Sequence, residues 1–215
     1  MIVEERIVSY INSLEKENSP VLEEIEKEAR KDGVPIIRKE MESFLRVMLS
    51  IKKPMRILEL GTAVGYSAIL MSEYIDEKGQ IITIENYDKR IPIAKENIKK
   101  AGRENVIKLL EGDAMEIMPT LVSNRFDFVF MDAAKAQYIH FLPEVMRLMK
   151  KGAVLITDNV LQENRSPPLS GRCKTKRKPE TREGFRLPVS YSAIICSTRQ
   201  PISVRRPRCR RRSPF

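Results

Sequence analysis

Between residues 55 and 159 the hydrophobic period of the chain changes back and forth. Short apolar runs occur at "MRILEL" (55–60), "QIITIE" (80–85), "VIKLLEGD" (106–113), "RFDFVFMD" (125–132) and "AVLITDN" (153–159). Between them lie stretches with helical spacing, at 66–75, about 88–100, from 114 to about 122, and about 135–150. Runs of the first kind read as strands buried on both faces, and the intervening stretches as helices. Parallel strands need long crossover connections, and helices of this length supply them. The pattern therefore predicts an α/β fold, a mostly parallel sheet with helices on both faces.

The first 53 residues read as three helices. Residues 2–16 place Val3, Ile7, Ile11 and Leu14 on one face. Ser19-Pro20 is an N-cap followed by proline at the first helical position; it opens a second helix through Leu22, Ile25 and Ala29, closed by Gly33. A third, over 39–51, is expected to bury Met41, Phe44, Leu45 and Met48, with Pro54 beyond it. The domain then divides into N-terminal helices (1–53) and a core (54–163).

Composition matters most at the other end. The chain carries a net charge of +10, but residues 1–163 hold 24 Lys and Arg against 27 Asp and Glu. Residues 164–215 hold 15 against two, together with all three cysteines and seven of the 13 prolines. The basic balance thus belongs to the tail, and it does not mark the core as a nucleic-acid binder. The cysteine spacing fits neither a disulfide framework nor a zinc site. The acidic N-terminus "MIVEERIVSY" argues against a signal peptide, and no run approaches the roughly 20 apolar residues of a membrane span. The expectation is a cytoplasmic protein with no membrane partner.

Each predicted strand ends in or near an acid: Glu59, Glu85, Asp113, Asp132 and Asp158. Such acids can cap the following helices. Open α/β sheets also bind their ligands at the carboxyl ends of the strands, which is where these acids gather. The loop "LELGTAVGYS" (58–67) is strand, glycine turn and helix start. Gly61 permits the tight turn, and Gly65 would let a ligand approach the backbone. The spacing is G-x-x-x-G, not the G-x-G-x-x-G of dinucleotide sites. Glu85, 20 residues after Gly65, is placed to accept hydrogen bonds from ribose hydroxyls. With "EGDA" (111–114), the pattern points to an adenosine ligand other than NAD.

Asp132 closes the fourth strand, and Asp158 and Asn159 close the fifth. Two carboxylates and an amide oxygen at neighbouring strand ends make a hard oxygen site suited to Mg²⁺ or Mn²⁺. The alternative for Asp158-Asn159 is an Asx-turn.

Taken together, "LELGTAVGYSAI", "IITIE", "EGDA", "FDFVFMDAAK" and "ITDNV" resemble the metal-dependent class I O-methyltransferases, the group of the catechol and caffeoyl-coenzyme A enzymes. The N-terminal helices and "DGVPIIRKE" look like the bacterial tRNA 5-hydroxyuridine methyltransferases within that group. The resemblance covers about 1–163. It implies a Rossmann-like fold with S-adenosylmethionine as methyl donor. Gly61 and Ser67 would face the cofactor, with Gly65 and Asp132 beside them. Glu85 would take the ribose, and Gly112, Asp113 and Ala114 the adenine end. Ile37 would also touch the cofactor. Asp132, Asp158 and Asn159 would hold the metal. Lys135 resembles the family's catalytic lysine, a general base; the alternative is a solvated first-turn residue.

The implied reaction is methylation of 5-hydroxyuridine in a tRNA anticodon to 5-methoxyuridine, with Lys52, Lys53, Arg56 and Arg90 as basic rim residues. A small vicinal-diol aromatic is the alternative substrate, and a non-catalytic RNA-binding protein with a basic tail is a third reading. Relatives suggest a homodimer. His140 reads as packed or surface, and Tyr138 as either near the site or covering the core. The resemblance implies two further antiparallel strands after the fifth. In 164–215 "PVSYSAIICST" (188–198) could form one strand, with no partner of matching length, so the fifth strand is expected to be an exposed edge. The tail reads as a basic arm or as an out-of-frame sequence.

Overall fold

The computed structural model describes residues 17–76, 78–133 and 137–158, the backbone of 192–196, and, in the N-terminal segment, Tyr10 and Ser13. Two helices come first, α1 (Pro20–Lys31) and α2 (Lys39–Lys52). Then follow β1 (Arg56–Leu60), α3 (Tyr66–Ser72), β2 (Gln80–Glu85), α4 (Ile91–Lys100), β3 (Ile107–Glu111) and α5 (Ala114–Ile117). A 3₁₀ turn, Met118–Thr120, leads to β4 (Phe126–Met131), α6 (Tyr138–Leu148), β5 (Met149–Asp158) and β6 (Ser192–Cys196). The predicted helix over 2–16 falls almost wholly outside the described residues.

The sheet order is β3-β2-β1-β4-β5-β6. The first five strands run parallel, and β6 is antiparallel to β5. The chain steps outward from β1 through β2 to β3, then returns to the other side of β1 for β4. That reversal opens a crevice beyond the carboxyl ends of β1 and β4. Side chains alternate along each strand, as the two-residue period demands. Ile57, Phe128, Phe130 and Ile156 pack with α1, α2 and α3 on one face. Leu58, Val129, Met131 and Leu155 pack with Phe141, Val145 and Leu148 of α6 on the other.

Several expectations are corrected. The fifth strand begins at Met149 rather than 153, because Met149 already pairs with Phe126; the register then shifts before Phe128 meets Val154. Gly152, just beyond the helix expected over about 135–150, lies inside this strand at φ 78°. Strand β5 is not the exposed edge: Ser192–Cys196 pairs along Val154–Asp158. The partner of the "SAIIC" segment is thus the fifth strand itself. Ser19 takes the extended N-cap conformation, but its hydroxyl donates to Glu73 (2.8 Å) instead of capping α1.

On α2 the buried face is Met41, Glu42, Leu45 and Leu49, while Phe44 and Met48 are half-buried. The face turns because Glu42 is drawn into a polar cluster under the helices. The Tyr66 hydroxyl donates to Glu42 (2.7 Å) and accepts from Asn18 (2.8 Å). Arg46 donates to the other Glu42 oxygen (3.0 Å), to Tyr74 (2.7 Å) and to Asn18. Lys39 bridges Glu42 (3.3 Å) and Glu26 (2.8 Å). Buried carboxylates persist where they are paired and hydrogen-bonded, as Glu42 is. Because Tyr66 is the first residue of α3, the cluster fixes the N-terminal helices to the end of the glycine loop.

At the carboxyl end of β1 the backbone of Gly61 passes close to that of β4. A Cβ on Gly61 would lie 2.5 Å from the Asp132 carbonyl oxygen, and φ is +97°. Both facts require glycine. Gly61→Ala is expected to destabilise the fold by about 2–4 kcal/mol. Tyr66→Phe, which leaves Glu42 and Asn18 short of a partner, is expected to cost about 1–3 kcal/mol. Urea unfolding checks both, as lower midpoints at unchanged slope.

Candidate functional site

A cavity of about 1020 Å³ opens at the carboxyl ends of the parallel strands. Its wall includes Gly61 and Ser67 from the β1 loop and α3, Glu85 from β2, and Gly112, Asp113 and Ala114 after β3. Asp132 and Asp158 line it from β4 and β5. Ile37 lines it from the α1–α2 connection, together with Pro35, Ile36 and Arg38. Residues spread over 120 positions of sequence therefore face one space because the parallel sheet brings every strand end to the same edge.

Glu85 is held in place by backbone donors. Its carboxylate accepts from Ala63 N–H (2.7 Å), Asn86 N–H (3.1 Å) and Tyr87 N–H (2.9 Å). A carboxylate has about four lone-pair directions, so capacity for a ligand hydroxyl remains. The bond from Ala63 also closes the glycine loop onto β2. Asp113 combines both roles weighed for the strand-end acids: it caps α5 through Met115 N–H (2.7 Å) and it lines the cavity.

Gly65 is a correction. It does not line the cavity; a Cβ there would meet the Ala94 carbonyl oxygen at 3.5 Å and Ile98 at 3.6 Å, so it faces α4. Its φ of +86° at the start of α3 is what requires glycine. Ser67 lines the wall, yet its hydroxyl donates to Glu59 (2.5 Å). Glu59 itself is fully buried beneath the loop. Its second oxygen accepts from Thr83 (2.6 Å), whose hydroxyl also bonds Thr62 (2.6 Å). Burial pushes the Glu59 carboxyl up to about 8 against the two hydroxyl bonds, with the charges of Asp132 and Glu85 adding to the rise.

Asp132 and Asp158 follow Met131 and Thr157, which are paired in register, so the two acids leave adjacent strands at the same level. The Tyr138 hydroxyl braces both strand ends, 3.0 Å from the Met131 carbonyl and 3.1 Å from that of Asp158. Burial and the negative charges of Asp132 and Asp158 raise the pKa of this phenol. Tyr138 thus supports the site through backbone. Lys135 and Asn159 lie outside the described residues. Among the described residues no group of three or more His, Cys, Asp or Glu converges as a metal site. The two carboxylates present are hard oxygen donors of the kind Mg²⁺ takes.

Of the four rim cations expected, Arg90 lines the cavity, its guanidinium over the Tyr87 ring at 5.2 Å from the centroid. Lys52, Lys53 and Arg56 do not: they precede or begin β1, at the opposite edge of the sheet. Lys52 there donates to the Gly152 carbonyl (2.9 Å) and Arg56 to Gln80 (2.9 Å). His140 is exposed. Sequence reasoning passed over Thr62, Asn86 and Tyr87, which directly follow Gly61 and Glu85 and could have been found from that position. Arg38 and Gln137 carry no such signal. No helix among the described residues is long and apolar enough to cross a membrane.

A family model described as O-methyltransferase matches residues 12–167. Catechol O-methyltransferase of Niastella koreensis is 34% identical over 125 residues, 57% of each chain. Catechol O-methyltransferase of Mycobacterium tuberculosis is 32% identical over 119 residues, 55% of this chain and 54% of that one. The chain thus spans a little over half the length of these curated relatives. Among solved structures, the O-methyltransferase TomG of Streptomyces achromogenes, in complex with SAM, superposes with a TM-score of 0.67 at 28% identity, covering 74% of this chain and 75% of that one. An O-methyltransferase of Bacillus cereus in complex with SAH gives 0.66 at 26% identity, covering 72% of each. The Rossmann-like sheet, the cavity at its switch point and a family match over most of the chain lead to one conclusion: this chain belongs to the O-methyltransferase family.

Proposed function

We propose that the chain transfers a methyl group from S-adenosylmethionine to an oxygen of a substrate that carries two vicinal oxygens. The observation that carries this reading is the single cavity in which Gly61, Glu85 and Asp113 face Asp132 and Asp158. On this reading Glu85 takes the ribose, the residues after β3 take the adenine, and the β1 loop takes the amino-acid end of the cofactor. The SAM-bound and SAH-bound structural relatives support it. Asp132 and Asp158, with Asn159, would hold a Mg²⁺ or Mn²⁺ ion. Such an ion lowers the pKa of a bound hydroxyl and fixes its position. Lys135, three residues after Asp132, is the general base of this proposal.

Two substrates share the required pair of oxygens. A small aromatic diol is supported by relatives named as catechol O-methyltransferases. The 5-hydroxyuridine of a tRNA anticodon is supported by the N-terminal sequence resemblance. Three of the four cations expected to meet RNA sit at the far edge of the sheet, which favours the small diol. The homodimer remains part of this proposal, resting on the resemblance alone, as does the cytoplasmic location, resting on the sequence reading alone.

The test is transfer of labelled methyl from S-adenosylmethionine to catechol and to tRNA containing 5-hydroxyuridine, with Mg²⁺ and with EDTA. Mg²⁺-dependent labelling of either is expected, and labelling of neither under any condition would refute the reading. Asp158→Ala is expected to lower kcat/KM by about 10²-fold or more while SAH affinity changes little. Full activity in this variant would remove Asp158 from the metal set.

A further inference from the structure

The carboxyl edge of the sheet holds the cavity. The amino edge carries a surface of another kind. From Ser43 to Leu58 the chain holds no acid. Val47 and Ile51 lie one turn apart on α2, 55% and 74% exposed, and Met55, between α2 and β1, is 38% exposed. Phe44 and Met48, half-buried, flank Val47 on the same helix. Exposed apolar side chains scattered singly need no explanation, whereas a contiguous group of them marks an interaction surface.

Cations surround this group. Lys52 and Lys53 end α2, Arg56 begins β1, Arg125 precedes β4, and Lys150 and Lys151 lie in the first half of β5. Hydrogen bonds join them into one surface. Lys52 donates to the Gly152 carbonyl (2.9 Å), which sets the end of α2 against the lysine stretch of β5. Arg56 and Arg125 both donate to the Gln80 side-chain oxygen, at 2.9 and 3.0 Å. Asp127 accepts from Met55 N–H (3.2 Å) and Arg56 N–H (2.9 Å) and lies 3.8 Å from Lys150. Among the described residues joined here, cations outnumber carboxylates, and the carboxylate of Asp127 is already taken up by backbone donors.

We infer that this amino edge docks on an anionic lipid surface. Val47, Ile51 and Met55 enter the boundary between headgroups and acyl chains, and the lysines and arginines meet the lipid phosphates. One partner then accounts for both features. RNA would use the cations and leave the three apolar side chains in water. A second copy related by a two-fold axis would cover the apolar group but set like charges across the contact. The expectation of no membrane partner came from the lack of a spanning run, and lying on a bilayer needs no span. The cavity opens at the opposite edge of the sheet, so a docked chain keeps it turned toward water. Docking here is independent of the cofactor reading.

The chain has no tryptophan, so Ile51→Trp places a single fluorophore on this surface. Val47→Trp serves if the first variant folds poorly. The experiment is titration of the full chain, carrying either substitution, with vesicles of equal parts phosphatidylglycerol and phosphatidylcholine. Co-sedimentation measures binding in the same samples. Residues 164–215, with 15 Lys and Arg against two acids, also attract anionic vesicles, and the position of the fluorophore separates the two contributions.

The expected result is emission that shifts to shorter wavelength on binding and does not shift with pure phosphatidylcholine. Adding Lys150→Gln and Lys151→Gln should weaken binding by about 30-fold, from the usual contribution of each cation at an anionic surface. Sedimentation with the vesicles at unchanged emission would give the binding to the tail and overturn the inference, as would no binding at all. Short-wavelength emission without vesicles would also overturn it. If it grew with protein concentration, the occupant would be a second copy. If it did not, the occupant would be the chain's own residues 1–16. A shift with RNA but not with vesicles would assign the surface to nucleic acid instead.

Discussion

The carboxyl ends of β1 and β4 approach so closely that only a glycine fits between them. Gly61 lies against the Asp132 carbonyl, at a positive φ. Much of the site depends on this contact. It turns the chain sharply out of the sheet and starts the loop that Glu85 then fastens through Ala63 N–H. It sets Asp132 beside the loop. Register between Met131 and Thr157 brings Asp158 to the same level. The cavity is thus a consequence of strand order: the chain leaves β1 to one side and returns on the other, and the crevice opens at that reversal.

A second constraint comes from the N-terminal helices. They cover one face of the sheet with apolar side chains, but the contact with the loop is polar. Glu42, Tyr66, Arg46 and Asn18 satisfy one another beneath α2. An apolar contact tolerates sliding, whereas a directional hydrogen bond to Tyr66 fixes where α3 begins. The connection from Pro35 to Arg38, which lines the cavity, is held over the site by the same two helices.

The parallel sheet was legible because period is a strong signal, and the five parallel strands lie where the apolar runs predict, with boundaries differing by a few residues. Gly61, Glu85 and Asp132 could be read because strand ends are where α/β sheets gather their ligand groups. Gly65 could not: a glycine needed for φ looks the same in sequence as one needed for ligand approach, and only the packing of α4 separates them. Glu59 and Glu42 were equally hidden, since burial of an acid depends on partners 24 residues away, Thr83 and Tyr66. The place of Lys52 and Arg56 at the amino edge was legible, since both precede or begin the first strand, whose ligand edge is its carboxyl end. The pairing of Ser192–Cys196 with β5 was missed because a strand's partner is not written in its own sequence.

The central claim is that one cavity holds the cofactor between Glu85 and the β1 loop. A crystal structure of the chain grown with SAH tests it most directly. The account predicts the ribose hydroxyls on the Glu85 carboxylate, the adenine beside Asp113 and Ala114, and the amino-acid end against Gly61 and Ser67. SAH bound elsewhere, or in this cavity with its ribose away from Glu85, would contradict it.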